Sequence, residues 1–467
     1  MRREDDHPKE HCAIFGIFGN RRAAWYTFLG LYAQQHRGEE SAGIASSNGK
    51  EIRHHKSMGL VSEVFDESSL DALKGHLAIG HCRYSTTGSS LAKNAQPIIV
   101  DYSRGTVAIG HNGNITNAEI LRAQLEAHGA IFQTTTDSEI VIHLMAKPTY
   151  NNRIEGLKGA LKRLEGAYSL VLMWEDELVG VRDPYGFRPL SIGKIRNAYV
   201  LASETCAFDL IGAKFVREVA PGEIVIINKN GLKSIKPFPE PKRKAYCIFE
   251  HVYFARPDSL VFGENVHNVR KRLGKQLAIE HPVEADIVIP IPDSGNSAAI
   301  GYSSESGIPQ ERGMIRNHYV GRTFIQPHQF IRDLAVKIKL NSVGDALKGK
   351  RIVVVDDSIV RGTTSKMRMR SIRESGAKEI HLRVSGPPHK HPCFYGIDFP
   401  SKDELIASKR SVEEIRKFLG VDSIGYLSLE GLLGAVSFDK KNYCTACYSG
   451  DYPVRFDENV SKFATER

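Results

Sequence analysis

The chain has 467 residues, 41% of them hydrophobic and 25% charged, and 63 Lys and Arg against 54 Asp and Glu give a net charge of +9. That length exceeds one typical core and predicts two or three domains; no apolar run approaches the ~18 residues of a membrane span and no secretory signal opens the chain, so a soluble, cytoplasmic protein is expected. No dense basic tract with interleaved aromatics accompanies the positive charge, which points to a polyphosphate small molecule rather than nucleic acid, and the seven cysteines read as thiols or metal ligands rather than disulfides.

Residues 1–11, MRREDDHPKEH, are nearly all charged or polar and cannot supply a core strand, whereas CAIFGIFG follows at once. Cys12 therefore opens the first strand. If residues 1–11 were removed, its α-amine, with an ordinary pKa near 8, would lie within reach of the thiol and act as its base; on position alone, a buried structural cysteine behind a tail is the commoner outcome. Farther on, LAIGHCRYS, GTVAIGHNGNI, AYSLVLMW and NAYVLASE predict short strands, and AAWYTFLGLYAQQHRG and AEILRAQLEAHG predict helices. An α+β layered domain over 12–236 follows. Within it, GHNGN (110–114) reads as a tight turn, in which Asn112 and Gly113 either close a hairpin or offer an amide and a backbone N–H to an oxyanion. Arg83 in HCRYSTTG suits a carboxylate and Asp137 in TTTDSE an ammonium, and an α-amino acid carries both.

Pro237, Pro239 and Pro241 mark a stiff linker over 237–247. From 248 to 420, apolar strands alternate with helical stretches, the pattern of a parallel sheet whose ligands bind beyond the carboxyl ends of its strands. Asp356 and Asp357 stand at such an end, and SIVRGTTS after them is a small-residue turn entering a helix, suited to phosphate. A C-terminal segment, 421–467, carries Cys444 and Cys447 as CTAC, which alone reads as a redox pair or half of a zinc site. Cys82 and Cys206 lie in strand-like surroundings and read as inert packing.

With QHRGEESAGIA at 35–45, RDPYGFRPL at 182–190 and SETCAFD at 203–209, the first half resembles the glutamine amidotransferases of the N-terminal-nucleophile type. The resemblance implies a four-layer αββα domain, a propeptide over 1–11 and Cys12 as nucleophile, with Asn112 and Gly113 as its oxyanion hole. It also implies that Arg83 and Asp137 hold glutamine's α-carboxylate and α-amine, and that Arg37 belongs to a loop closing over the site. Ala13 departs from the Gly that many members have after the nucleophile.

VVVDDSIVRGTTS resembles the 5-phosphoribosyl 1-pyrophosphate (PRPP) motif of type I phosphoribosyltransferases, and PDSGNSAAIGY (292–302) and VGRTFIQP (320–327) resemble the pyrophosphate and closing loops of amidophosphoribosyltransferases. The match covers nearly the whole chain. It implies Mg²⁺ near Ser294, Asp356 and Asp357, and ribose 5-phosphate on Ser358, Arg361, Gly362, Thr363 and Thr364. Pyrophosphate is implied near Asp293, Ser294, Gly295, Asn296 and Ser297, with Arg322 on the closing loop. Arg316, Asn317, His318 and Tyr319 stand where Lys-Asn-Arg-Tyr is more usual, and Lys to Arg is not neutral at a phosphate site. The contexts of Cys247, Cys393, Cys444 and Cys447 resemble the branch that carries a 4Fe-4S cluster.

The activity so implied is hydrolysis of glutamine and transfer of its ammonia to PRPP, through a path shielded when the Arg322 loop closes, as the first committed step of purine synthesis. Inhibition by purine nucleotides and a homotetramer come with the resemblance. A sugar-phosphate isomerising partner domain is disfavoured by the PRPP motif. A ligand sensor is disfavoured by the complete glutaminase set and the lack of a helix-turn-helix.

Overall fold

The structure, a computed structural model, describes residues 12–84, 91–239, 241, 243–317, 340–397 and 401–454. The propeptide expected over 1–11, and His318, Tyr319 and Arg322 of the expected closing loop, lie outside the described residues.

Alternation along the first strand decides the layering of the first half. In Ala13–Phe18, Phe15 and Ile17 join a core shared with helices Ala23–Ala33 and Cys206–Ile211, while Ile14 turns the other way into a core between two sheets. The strand pairs antiparallel with Leu77–Arg83 and Ala198–Ala202 in a seven-stranded sheet. Facing it is a six-stranded sheet in which Gly105–Ile115 lies between Ile98–Tyr102 and Gly166–Met173. The inner faces meet through Ile14, Ile79, Ala108, Val171, Leu201 and Val225. Helices Ala118–Ala127, Ser138–Met145 and Arg153–Leu161 cover the outer face of the second sheet, completing the expected αββα stack.

The second half is built on four parallel strands in the order Ile287–Pro290, Arg351–Asp356, Glu379–Val384, Ser423–Tyr426. Arg351–Asp356 is apolar at every interior position because both of its faces are covered. Val353 and Val355 enter the core under helix Val266–Glu280, and Ile352 and Val354 enter the core under helices Thr363–Glu374 and Val412–Leu419. The strand runs out of apolar residues at Asp356, at the carboxyl end of the sheet.

Two expected boundaries are corrected. The break at 420 falls inside this domain, because Ser423–Tyr426 is the sheet's fourth strand. The linker expected over 237–247 ends before residue 246, because Tyr246 and Cys247 pair in parallel with Tyr443 and Cys444. Among the described residues no helix is long and apolar enough to cross a membrane.

Candidate active site

Cys12 is 7% exposed at the head of the first strand, and its Sγ donates to the carbonyl of Tyr84 at 3.5 Å. Burial pushes the thiol up to about 11, although the Tyr84 hydrogen bond and the Arg83 charge pull the other way. The thiol thus keeps its proton at neutral pH and needs a base to become a nucleophile.

GHNGN is not the expected turn. It is the interior of the strand Gly105–Ile115, with Asn112 opposite Ser169 and Gly113 opposite Tyr168. Asn112 faces the other sheet, where its Nδ2 lies 3.4 Å from Ser203 Oγ, and the same Oγ accepts the backbone N–H of Ile14 at 3.1 Å. A serine therefore bridges Asn112 to a residue two positions from Cys12. Gly113 has φ +149°, and a Cβ there would lie 2.1 Å from the carbonyl oxygen of Ala167. The opposing surface comes from the second half: Gly396 packs so closely that a Cβ on it would sit 2.8 Å from the Gly113 carbonyl carbon. Beside this contact, Asn114 Nδ2 donates to the carbonyl of Phe394 at 2.9 Å.

Asp137 is buried; its Oδ2 accepts from Ile115 N at 2.9 Å and its Oδ1 lies 3.3 Å from His111 Nδ1. Burial raises its pKa, but His111 and the hydrogen bonds more than offset that and hold it below the usual range. His111 was not singled out from the sequence, yet its buried Nε2, without a partner among the described residues, lies 3.0 Å from the Cβ position of Gly113. Two-residue alternation from Gly113 is the signal that points to it. Arg83, 2% exposed, lies 3.9 Å from Glu40.

Arg37, expected on a loop closing over the site, is committed to buried ion pairs. It ends the turn Gln35–Arg37, is 1% exposed, and pairs with Glu250 at 2.7 Å and with Glu204. Glu250 belongs to the start of the second half and also pairs with Arg188 at 2.9 Å. This buried cluster of Arg37, Glu204, Glu250 and Arg188 joins the halves, and only Arg37 in it was expected at a site.

At the far end, Asp356 and Asp357 are each 1% exposed. Burial and the adjoining Asp357 raise the pKa of Asp356, partly opposed by Arg368, whose Nη1 lies 3.5 Å away. Ser358 donates to Asp357 Oδ2, while Asp357 Oδ1 is buried without a partner among the described residues. That unfilled oxygen and the paired carboxylates suit a hard divalent cation or sugar hydroxyls. Gly295 seals the adjoining loop, since a Cβ there would meet the carbonyl oxygen of Val355 at 2.3 Å. In that loop Asp293 pairs with Arg316 at 2.9 Å, Ser297 Oγ meets His267 Nδ1 at 2.8 Å, and Asn296 begins the helix Asn296–Ser306. Gly362, φ +82°, caps the helix that begins with Thr363 and Thr364. The guanidinium of Arg361 turns to Glu404 at 2.8 Å.

The four expected cluster cysteines share one neighbourhood, with Cys447 buried and the other three partly exposed. Cys247 sits beside Cys444 in their two-residue ladder, Cys447 follows in the turn Ala446–Ser449, and Cys393 Sγ accepts from Tyr395 N at 3.4 Å. Burial pushes Cys247 up to about 11, and burial with the neighbouring thiols raises Cys444 and Cys447 further. No three His, Cys, Asp or Glu side chains among the described residues are gathered closely enough to hold a metal ion. Cys82 and Cys206 are buried, with thiols pushed up by burial.

A family model of the glutamine amidotransferase domain matches residues 81–209. Amidophosphoribosyltransferase 1, chloroplastic, of Arabidopsis thaliana is 51% identical over 97% of this chain and 80% of its own, and the Bacillus subtilis (strain 168) amidophosphoribosyltransferase is 49% identical over 97% and 96%. The chain belongs to the amidophosphoribosyltransferase family. A solved structure described as the allosteric regulatory enzyme of purine biosynthesis superposes with TM-score 0.92 at 47% identity, covering 96% of this chain and 98% of that one. The glutamine PRPP amidotransferase of B. subtilis, solved with ADP and GMP, gives 0.91 at 47% identity, covering 96% and 99%. As an amidophosphoribosyltransferase, the chain takes ammonia from glutamine and transfers it to PRPP in purine biosynthesis.

Proposed function

We propose a residue-level course for this reaction, carried by one observation: Ser203 ties Asn112 to the strand that Cys12 opens. Removal of residues 1–11 frees the α-amine of Cys12, which takes the thiol proton as Sγ attacks the side-chain amide carbon of glutamine. Asn112 Nδ2 and the Gly113 N–H receive the oxyanion. Ammonia leaves with the proton returned by the amine, and water then splits the thioester to glutamate. Arg83 and Asp137 hold the substrate's α-carboxylate and α-amine; Arg37 is excluded from that role by its commitment to Glu204 and Glu250.

Ammonia then bonds to the anomeric carbon of PRPP as the bond to pyrophosphate breaks. Asp356 and Asp357 hold the ribose and, with Ser294, would hold Mg²⁺, which would offset charge on the leaving group. The helix Thr363–Glu374, capped by Gly362, supplies N–H groups that would receive the 5-phosphate. Because free ammonia is mostly protonated at neutral pH, a shielded path between the halves follows. Near pH 7 glutamine should far outperform ammonium salts as donor, and equal rates would contradict the path.

Cys247, Cys393, Cys444 and Cys447 would hold a 4Fe-4S cluster, their four free thiols supplying the donor chemistry. When bound it cross-links the linker exit, the 393–397 segment and the C-terminal turn. Visible absorbance with iron and zinc analysis of anaerobically purified protein tests this, and stoichiometric zinc would overturn it. A cytoplasmic homotetramer inhibited by purine nucleotides completes the reading. Intact-mass measurement of the active enzyme is expected to find Cys12 first; activity with residues 1–11 retained would leave the thiol without its base.

A further inference from the structure

Arg188 is 1% exposed, and Glu250 accounts for only part of its guanidinium. Nη1 donates to Glu250 Oε1 at 2.9 Å, whereas Nε and Nη2 are buried with no acceptor among the described residues. A guanidinium cannot escape burial by losing its proton, so unfilled donors on it mark an absent acceptor. One side of the group is apolar, with Cζ 5.8 Å from the centroid of the Phe254 ring. Its chain neighbour Phe187 accepts the N–H of Cys247 at 3.2 Å and stacks on Tyr395 at 4.4 Å, two residues beyond Cys393. Glu250, which holds Nη1, stands three residues after Cys247 in the chain.

We propose that Arg188 is the internal counter-cation of the four-cysteine site, with Nε and Nη2 donating hydrogen bonds to the sulfur of its iron-sulfur group while Glu250 holds Nη1. The assignment rests on the cluster reading given above. Four thiolates around an iron-sulfur core form a buried anion, which requires a nearby positive charge. Hydrogen bonds to sulfur stabilise the reduced, more negative state and so raise the reduction potential. Glu250 also receives Arg37, so charge at the cysteines is felt at the buried pairs of the glutaminase half.

The test uses full-length, anaerobically purified protein as wild type, Arg188→Met, Arg188→Lys and Glu250→Gln. Iron and acid-labile sulfide per chain, the bleaching rate in air and the midpoint potential are measured for each. Arg188→Met is expected to bleach several-fold faster and to shift the potential negative. Arg188→Lys, which keeps the charge without the fork, should fall between. Glu250→Gln keeps Arg188 and removes an opposing carboxylate, so its potential should move positive; it decides the matter if Arg188→Met does not fold. Wild-type potential and bleaching in both Glu250→Gln and the Arg188 variants that fold would overturn the assignment while leaving the cluster in place. Wild-type protein without iron would instead overturn the cluster reading, and this inference with it.

Discussion

Cys12 must be buried to sit against glutamine's amide and ionisable to attack it, and those requirements conflict. With its pKa pushed to about 11, roughly one thiol in ten thousand is ionised at pH 7. In a chain that retains residues 1–11, iodoacetamide labelling of Cys12 should therefore rise about tenfold per pH unit between pH 7 and 9. A rate flat across that range would contradict a thiol held so high. Asn112→Ala removes one of the two proposed oxyanion donors and should lower kcat for glutamine by about 10²–10³ with little change in KM. Cys12 and Asp137 drew attention in the sequence because residue type and neighbours suggest their chemistry. His111 did not, because its place beside Gly113 and Asp137 becomes evident only once GHNGN is known to be a strand.

Strands were legible wherever apolar residues ran together, as in Arg351–Asp356, and the expected turn at GHNGN shows where local reasoning fails. Asn-Gly is a strong hairpin signal. Here long-range pairing with Gly166–Met173 overrides it, carrying the strand through to Ile115. The same strand receives the segment after Cys393, which local sequence could not have revealed across 280 residues. Gly396→Ala drives a Cβ into the Gly113 backbone. Glutamine hydrolysis should fall toward the loss seen for an oxyanion-hole donor, about 10²–10³, while ammonia-dependent synthesis persists. Equal loss in both assays would indicate general damage to the interface. The misplaced boundary at 420 has a related cause: Ser423–Tyr426 is a short edge strand with little apolar signal of its own, made a strand by its partner Glu379–Val384.

At the scale of the molecule, the halves are joined by charge as well as by packing. Glu204 and Glu250 are completely buried, which raises their pKa values, but Arg37 with His36 or Arg188 more than offsets this and holds both below the usual carboxylate range. Folded carboxyls that resist protonation stabilise the protein fully above the unfolded value of about 4.3, and that contribution is lost progressively as pH falls from there through their lower folded values. The thermal midpoint should therefore drop steeply below about pH 5, and more shallowly in Arg37→Met. At pH 7, Arg37→Met removes the cation shared by two buried carboxylates, leaving Glu250 to Arg188 and Glu204 to His36, and should cost about 3 kcal/mol. A midpoint matching wild type at pH 7 would show that these pairs contribute nothing to the joint. None of this was legible in the sequence, because the pairs lie 167 and 213 residues apart.

The account as a whole requires that one sulfur atom liberate the nitrogen and that a separate site use it. Parallel assays of Cys12→Ala with glutamine and with ammonia test that requirement. Pyrophosphate release should persist with ammonia at high pH and vanish with glutamine; glutamine-dependent release near the wild-type rate would contradict it.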